Sequence, residues 1–209
     1  MKNIFLTSSI QSVARSISKH IKKPARFAYI TTASEPKKER PLEWLDDDRA
    51  QFIKAGFEVE DYTITGKTAS EIKKYLNGFD GILMEGGNSF YLLQQIQLTK
   101  SGNVFRDFVK SGKYYIGSSA GSVVAGPDIY SLRRLDVLKD APEINGYEGL
   151  GLVDFVIWPH WGSGKFEDKY LTRMGQSYNL SHKIILLTDN QYVLVDGENY
   201  RIVDVKNEN

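Results

Sequence analysis

The sequence predicts an α/β fold: a three-layer α/β/α sandwich around a mostly parallel sheet, closed by a C-terminal β-hairpin. Strand-like and helix-like periodicities alternate from the N-terminus, and small or polar residues punctuate the strand ends. Two β-rich segments flank a tight polar turn near the end of the chain.

Asn3 to Thr7 reads as the first strand and Ser9 to Ile21 as an amphipathic helix. Arg26 to Thr31 is a second strand, and the polar loop Ser34 to Pro41 leads into a helix from about Leu42 to Ala55. Phe57 to Tyr62 is a third strand, followed by a helix over Ala69 to Leu76. Phe79 to Met84 is a fourth, followed by Gly86-Gly87-Asn88 and a helix from Ser89 to about Gln97. A helix near Val104 to Lys110 precedes the strand Tyr114-Tyr115-Ile116. Val153 to Trp158 and Ile184 to Leu187 read as later strands, and Gln191 to Val195 with Tyr200 to Val205 as the hairpin.

The 209 residues fit one domain spanning 1–209, with no repeat or linker to divide it. Lys plus Arg is 27 against 26 for Asp plus Glu, a formal net charge of +1 that favours neither nucleic acid nor a membrane surface as partner. The absence of cysteine excludes disulfides, thiolate metal sites and a cysteine nucleophile, and no metal or cofactor is expected. The N-terminal apolar run is too short for a signal peptide, and no run is long enough to span a bilayer, so the expected location is cytoplasmic. Oligomeric state is not legible.

Gly117-Ser118-Ser119-Ala120-Gly121 is a G-x-S-x-G pentapeptide directly after a strand. A serine between small residues at a strand-to-helix junction is what a nucleophile elbow requires, because the turn admits no large side chains and lifts the hydroxyl off the sheet edge. In open parallel sheets ligands bind at the carboxyl ends of the strands. Thr7-Ser8, Thr31-Thr32, Gly86-Gly87-Asn88, Ser118-Ser119 and Pro159-His160 all fall there.

A serine hydroxyl needs a base within reach. Of the three histidines, His20 lies among lysines and His182 in a polar loop, whereas His160 ends a strand made rigid by Pro159. An acid must orient the imidazole. Asp136, in a loop between Ser119 and His160, is the preferred choice, with Glu143 and Asp140 as alternatives; Asp128 lies too close to the elbow and Asp154 at the wrong end of its strand. Gly86-Gly87-Asn88 follows a strand and opens a helix, so the N–H groups of Gly87 and Ala120 are the expected oxyanion donors. Asn88, Tyr130 and Trp161 are expected to contact substrate. The chain lacks a P-loop and a dinucleotide-binding glycine motif.

Glu85-Gly86-Gly87-Asn88-Ser89-Phe90-Tyr91-Leu92-Leu93, Gly117 to Ser122 and Pro159-His160, in that order, resemble the dipeptidase E and cyanophycinase family of serine peptidases. Gly149-Leu150-Gly151-Leu152-Val153 and Thr188-Asp189-Asn190-Gln191 add to the resemblance, which runs from about Phe79 to the C-terminus. It implies a fold like the class I glutamine amidotransferases and a Ser–His–acid peptidase of short peptides, with Ser119 as nucleophile, His160 as base and an acid after the elbow. The chain departs from the aspartate-specific dipeptidases in having Asp128-Ile129-Tyr130 where they carry Thr-Ile-Arg, with Arg133 or Arg134 as the only nearby substitutes. It also has Glu85 where they tend to carry a third glycine. An esterase or thioesterase, and a non-catalytic binding module on the same scaffold, are the rival readings.

Overall fold

The computed structural model describes residues 3–37, 42–133, 138–177 and 182–207. The chain runs β1 (Asn3–Thr7), α1 (Ile10–Ile17), β2 (Arg26–Ile30), α2 (Glu43–Lys54), β3 (Glu58–Tyr62), α3 (Ala69–Leu76), β4 (Gly81–Met84) and α4 (Ser89–Leu98). It continues through α5 (Gly102–Lys110), β5 (Tyr114–Ser118), α6 (Ala120–Val124), β6 (Phe155–Trp158), α7 (Glu167–Arg173), β7 (Lys183–Leu186), β8 (Gln191–Asp196) and β9 (Asn199–Asp204). The alternation read from the sequence is this order of elements, with α7 as an addition.

Seven strands form one sheet in the order β3-β2-β4-β5-β1-β8-β9. The first five are parallel, and the β8–β9 hairpin joins β1 antiparallel. Because side chains alternate across a strand, each central strand feeds two cores. Phe5, Phe27 and Tyr29 point to the side covered by α1 and α2, while Ile4, Leu6, Ala28 and Ile30 point to the side of α3, α4 and α6. Burial on both faces explains why β4 reads as the unbroken apolar run Ile82-Leu83-Met84.

Helix α1 seats Ile10, Val13, Ala14 and Ile17, an i, i+3, i+4, i+7 stripe that is wholly buried. Phe52 from α2 stacks on Phe57 at 4.4 Å and meets Phe27 edge-on at 5.1 Å. Truncating such a buried ring to alanine costs about 3–5 kcal/mol. Thr68 and Glu71 close a capping box at the start of α3.

Strand β6 does not join the main sheet, contrary to what its position before His160 suggests. It pairs in parallel with β7 as a separate two-stranded sheet. Both edges of β1 are already taken, by β5 and β8. Instead, the segment before β6 is tied to the end of α6 by Leu150 N–H to the Val124 carbonyl and Leu152 N–H to the Ala125 carbonyl, at 2.7 and 2.9 Å.

Candidate active site

The adjacent strands β4, β5 and β1 end on one rim, and each contributes the residues that follow it. Ser119 follows β5 with φ 45° and ψ −105°, a region that non-glycine residues seldom occupy. Its amide is held by the Thr7 carbonyl at 2.9 Å, and its own carbonyl accepts from Val123 N–H as α6 begins. A Cβ on Gly121 would lie 1.9 Å from the Met84 carbonyl oxygen, and one on Gly117 would lie 2.7 Å from the backbone of Gly121. Those contacts are why both flanking positions of the pentapeptide are glycine. Ser122 Oγ braces the turn, 2.7 Å from the carbonyls of Thr7 and Gly117.

His160 also has a positive φ, 64°. Its amide donates to Ser8 Oγ at 3.0 Å, and Ser8 in turn donates to the Leu187 carbonyl at 2.8 Å. The hydroxyl of Tyr170 donates to the Pro159 carbonyl. Phe166 stacks on the imidazole at 4.4 Å and 5°. So held, Nε2 lies 3.0 Å from Ser119 Oγ, and Nδ1 lies 2.6 Å from Asp189 Oδ1. The side chains of His160 and Asp189 are 18% and 35% exposed, so the chain of hydrogen bonds is only partly open to water.

Four amides border Ser119 Oγ or its turn. Ser119 N–H is taken by Thr7, and Gly86 N–H by Glu85 Oε1 at 2.6 Å. Among the described residues, the N–H groups of Gly87 and Ala120 meet no acceptor. Gly87 has φ 145°, and a Cβ there would lie 2.1 Å from the Ala33 carbonyl oxygen. Asn88 caps α4 by accepting from Phe90 and Tyr91 N–H at 3.0 and 3.2 Å.

These groups open on a cavity of about 340 Å³ lined by Ser119, His160, Gly86, Gly87, Asn88 and Phe166, among others. Of the three expected substrate contacts, only Asn88 lines it. Tyr130 packs instead against Tyr147 with its ring 5.1 Å away and Arg133 over its face, and Trp161 meets Tyr170 edge-on at 5.5 Å. The walls come partly from the turn that ends at Phe166 and from α7, an element the sequence periodicity does not announce, which brings Lys169 and Tyr170 to the site.

The expected acid, Asp136, lies outside the described residues. The partner of the imidazole Nδ1 is Asp189, which follows His160 in the chain rather than preceding it. Asp140 lines the cavity and accepts from Asn88 Nδ2 at 3.2 Å. Asp128 accepts from Tyr130 N–H, and Asp154 pairs with Lys183. The signal for Asp189 is present in Thr188-Asp189-Asn190-Gln191, one of the stretches that carries the family resemblance.

The model of peptidase family S51 matches residues 4–203. The chain belongs to peptidase family S51. It is 30% identical over 200 residues to an uncharacterized peptidase of Listeria innocua, covering 95% of this chain and 94% of that one. A 36% identity to peptidase E of Shewanella sp. strain ANA-3 extends over 84 residues, 40% of this chain and 34% of that protein. The fold superimposes on the crystal structure of a candidate peptidase E protein from Listeria monocytogenes EGD-e with a TM-score of 0.88, 26% identity and 98% coverage of both chains. A peptidase from an acI-B1 Actinobacterium shares the fold at a TM-score of 0.72 and 19% identity, over 96% of this chain and 86% of that one. The S51 chain is therefore a serine peptidase. Among its described residues, no helix is long and apolar enough to cross a membrane.

Beneath the glycine loop of this S51 peptidase lies a buried carboxyl pair. Glu85 is fully buried, and burial lifts its carboxyl above the ordinary range, opposed by the hydrogen bond from Gly86. Burial and then repulsion from Glu85 push Asp48 up to about 9. Each carboxyl therefore holds a proton more firmly than a free one does, with Tyr29, Ser118 and Asp48 all facing Glu85.

Proposed function

We propose that the chain is a serine dipeptidase or exopeptidase in which Ser119, His160 and Asp189 act as nucleophile, base and orienting acid. The carrying observation is the continuous set of hydrogen bonds from Asp189 through His160 to Ser119 beside two unoccupied amides. Ser119 Oγ attacks the scissile carbonyl carbon while its proton passes to His160 Nε2. The Asp189 carboxylate fixes the tautomer with the proton on Nδ1 and stabilises the imidazolium. The N–H groups of Gly87 and Ala120 receive the charge that develops on the carbonyl oxygen. His160 then protonates the departing amine, the acyl-enzyme forms, and water reverses the sequence to release the acid.

Cavity size supports a short substrate. At about 340 Å³ the site is near the lower end of ligand pockets, which run from about 300 to 1,000 Å³. An ester hydrolase of the α/β-hydrolase type would interpose several strand–helix units between serine and histidine. Between α6 and β6 the described residues form no strand–helix unit, but short 3-10 turns and an isolated bridge between Asp128 and Glu148.

Replacing Ser119 by alanine is the direct test. The variant is expected to keep its far-UV circular dichroism while losing both labelling by a fluorophosphonate and hydrolysis of a dipeptide library. A variant that still labels or still cleaves would refute the assignment. In the wild type, kcat/KM should rise with pH through an imidazole titration.

A further inference from the structure

We propose that Lys165 and Lys169 bind the free carboxylate of the residue that departs with the amine, so that the site selects unblocked dipeptides. This rests on the serine peptidase reading above, which determines the side of Ser119 on which the leaving residue lies. In that mechanism His160 delivers its proton to the leaving nitrogen, so the departing residue runs along the imidazole.

The wall on that side is built by the loop and helix after His160. Phe166 lies flat on the imidazole at 4.4 Å. The ammonium groups of Lys165 and Lys169 stand 6.0 and 5.5 Å from the centre of the Phe166 ring. Four positions apart in sequence, both lysines line the cavity, Lys165 exposed and Lys169 half-buried. Neither is paired with a carboxylate among the described residues. Glu167 and Asp168, which lie between them, do not line the cavity.

Length decides which carboxylate suits this pair. One residue of extended chain spans at most about 3.6 Å. A carboxylate on the residue that leaves is therefore one step from His160, within the sweep of two lysine side chains anchored beside Phe166. In a longer peptide the C-terminal charge lies further along the chain, and an amide at the same place offers the lysines no charge. Two ammonium groups facing one carboxylate in a half-enclosed wall form charge-assisted hydrogen bonds, the stronger kind.

The test compares kcat/KM for the best dipeptide of a library with its C-terminal carboxamide. The wild type should favour the free acid by about 10- to 100-fold. The double variant Lys165→Met, Lys169→Met should lose that preference by slowing far more on the acid than on the carboxamide, and Lys169→Arg should retain most of it. Equal turnover of acid and carboxamide by the wild type, or an equal loss on both in the double variant, would overturn the subsite. Cleavage of neither compound would also overturn it; fluorophosphonate labelling of Ser119 in the same preparation then tells whether the serine peptidase reading falls with it.

Discussion

Asp189 Oδ1 sits 2.6 Å from Nδ1 of His160, 29 residues earlier in the chain, and Asp189 is the carboxylate that the geometry offers to the imidazole. Replacing it with asparagine keeps the shape but presents an amide that cannot enforce the required tautomer. Asp189→Asn should lower kcat by about 10⁴-fold, the cost of the wrong tautomer in a Ser–His–Asp triad. Asp136→Asn should leave kcat within a few-fold of wild type. Steady-state kinetics on both variants decides between the two acids, and the reverse ranking would remove Asp189 from the mechanism.

The positive φ of Ser119 should register as stored strain. At φ 45° a side chain costs about 1–3 kcal/mol that glycine does not incur. Ser119→Gly and Ser119→Ala are both expected to be inactive, with the glycine variant more stable by about 1 kcal/mol. Urea unfolding of the pair measures the difference, and an alanine variant of equal or greater stability would contradict it.

Gly87 has neither the space nor the backbone angle for a side chain. Gly87→Ala would force a methyl group against the Ala33 carbonyl, so the loop must move and carry its N–H away from Ser119. A loss of about 10²- to 10³-fold in kcat is expected, as for removal of one oxyanion donor, together with a lowered Tm. Wild-type kcat in this variant would show that the Gly87 amide is not used.

The buried pair makes stability depend on pH in a definite direction. Asp48 in the folded chain titrates at about 9, well above its value in an unfolded chain near 4. Between those values the native state binds the extra proton, so stability is fully present below about 4 and declines as pH rises towards 9. The slope approaches about 1 kcal/mol per pH unit. Asp48→Asn keeps the acceptor for Gln11 N–H and a donor towards Glu85, so it should flatten the slope and raise Tm most at alkaline pH. Thermal melts from pH 5 to 9 check this, and an unchanged slope would mean that Asp48 ionises normally.

Much of the site was legible because its signals are local. Gly117, Ser119 and Gly121 lie within one turn, and their spacing states the steric demand of that turn directly. Gly86-Gly87-Asn88 does the same for the entry into α4, where Asn88 does cap the helix. His160 was legible from its place at a strand end, although that strand belongs to a different sheet. Asp189 lies beyond His160, outside the stretch between nucleophile and base where a sequence reading expects the acid. Its approach depends on the parallel register that pairs Trp158 with Leu186, and on Trp161 N–H donating to the Leu187 carbonyl at 2.8 Å. Tyr130 stands where the aspartate-specific dipeptidases carry arginine, and Trp161 directly follows His160. Packing turned both towards other aromatic rings.

By itself, the sequence determined the order of strands and helices, the elbow at Ser119 and the choice of His160. Each follows from periodicity or from short-range sterics that a few neighbouring residues impose. Only the tertiary structure decided which carboxylate faces the imidazole, which amides remain open and which side chains wall the cavity. Those outcomes depend on how β6 and β7 dock beside α6 and where α7 then lies. Such docking is the joint result of contacts between residues far apart in the chain, and no single stretch of sequence encodes it.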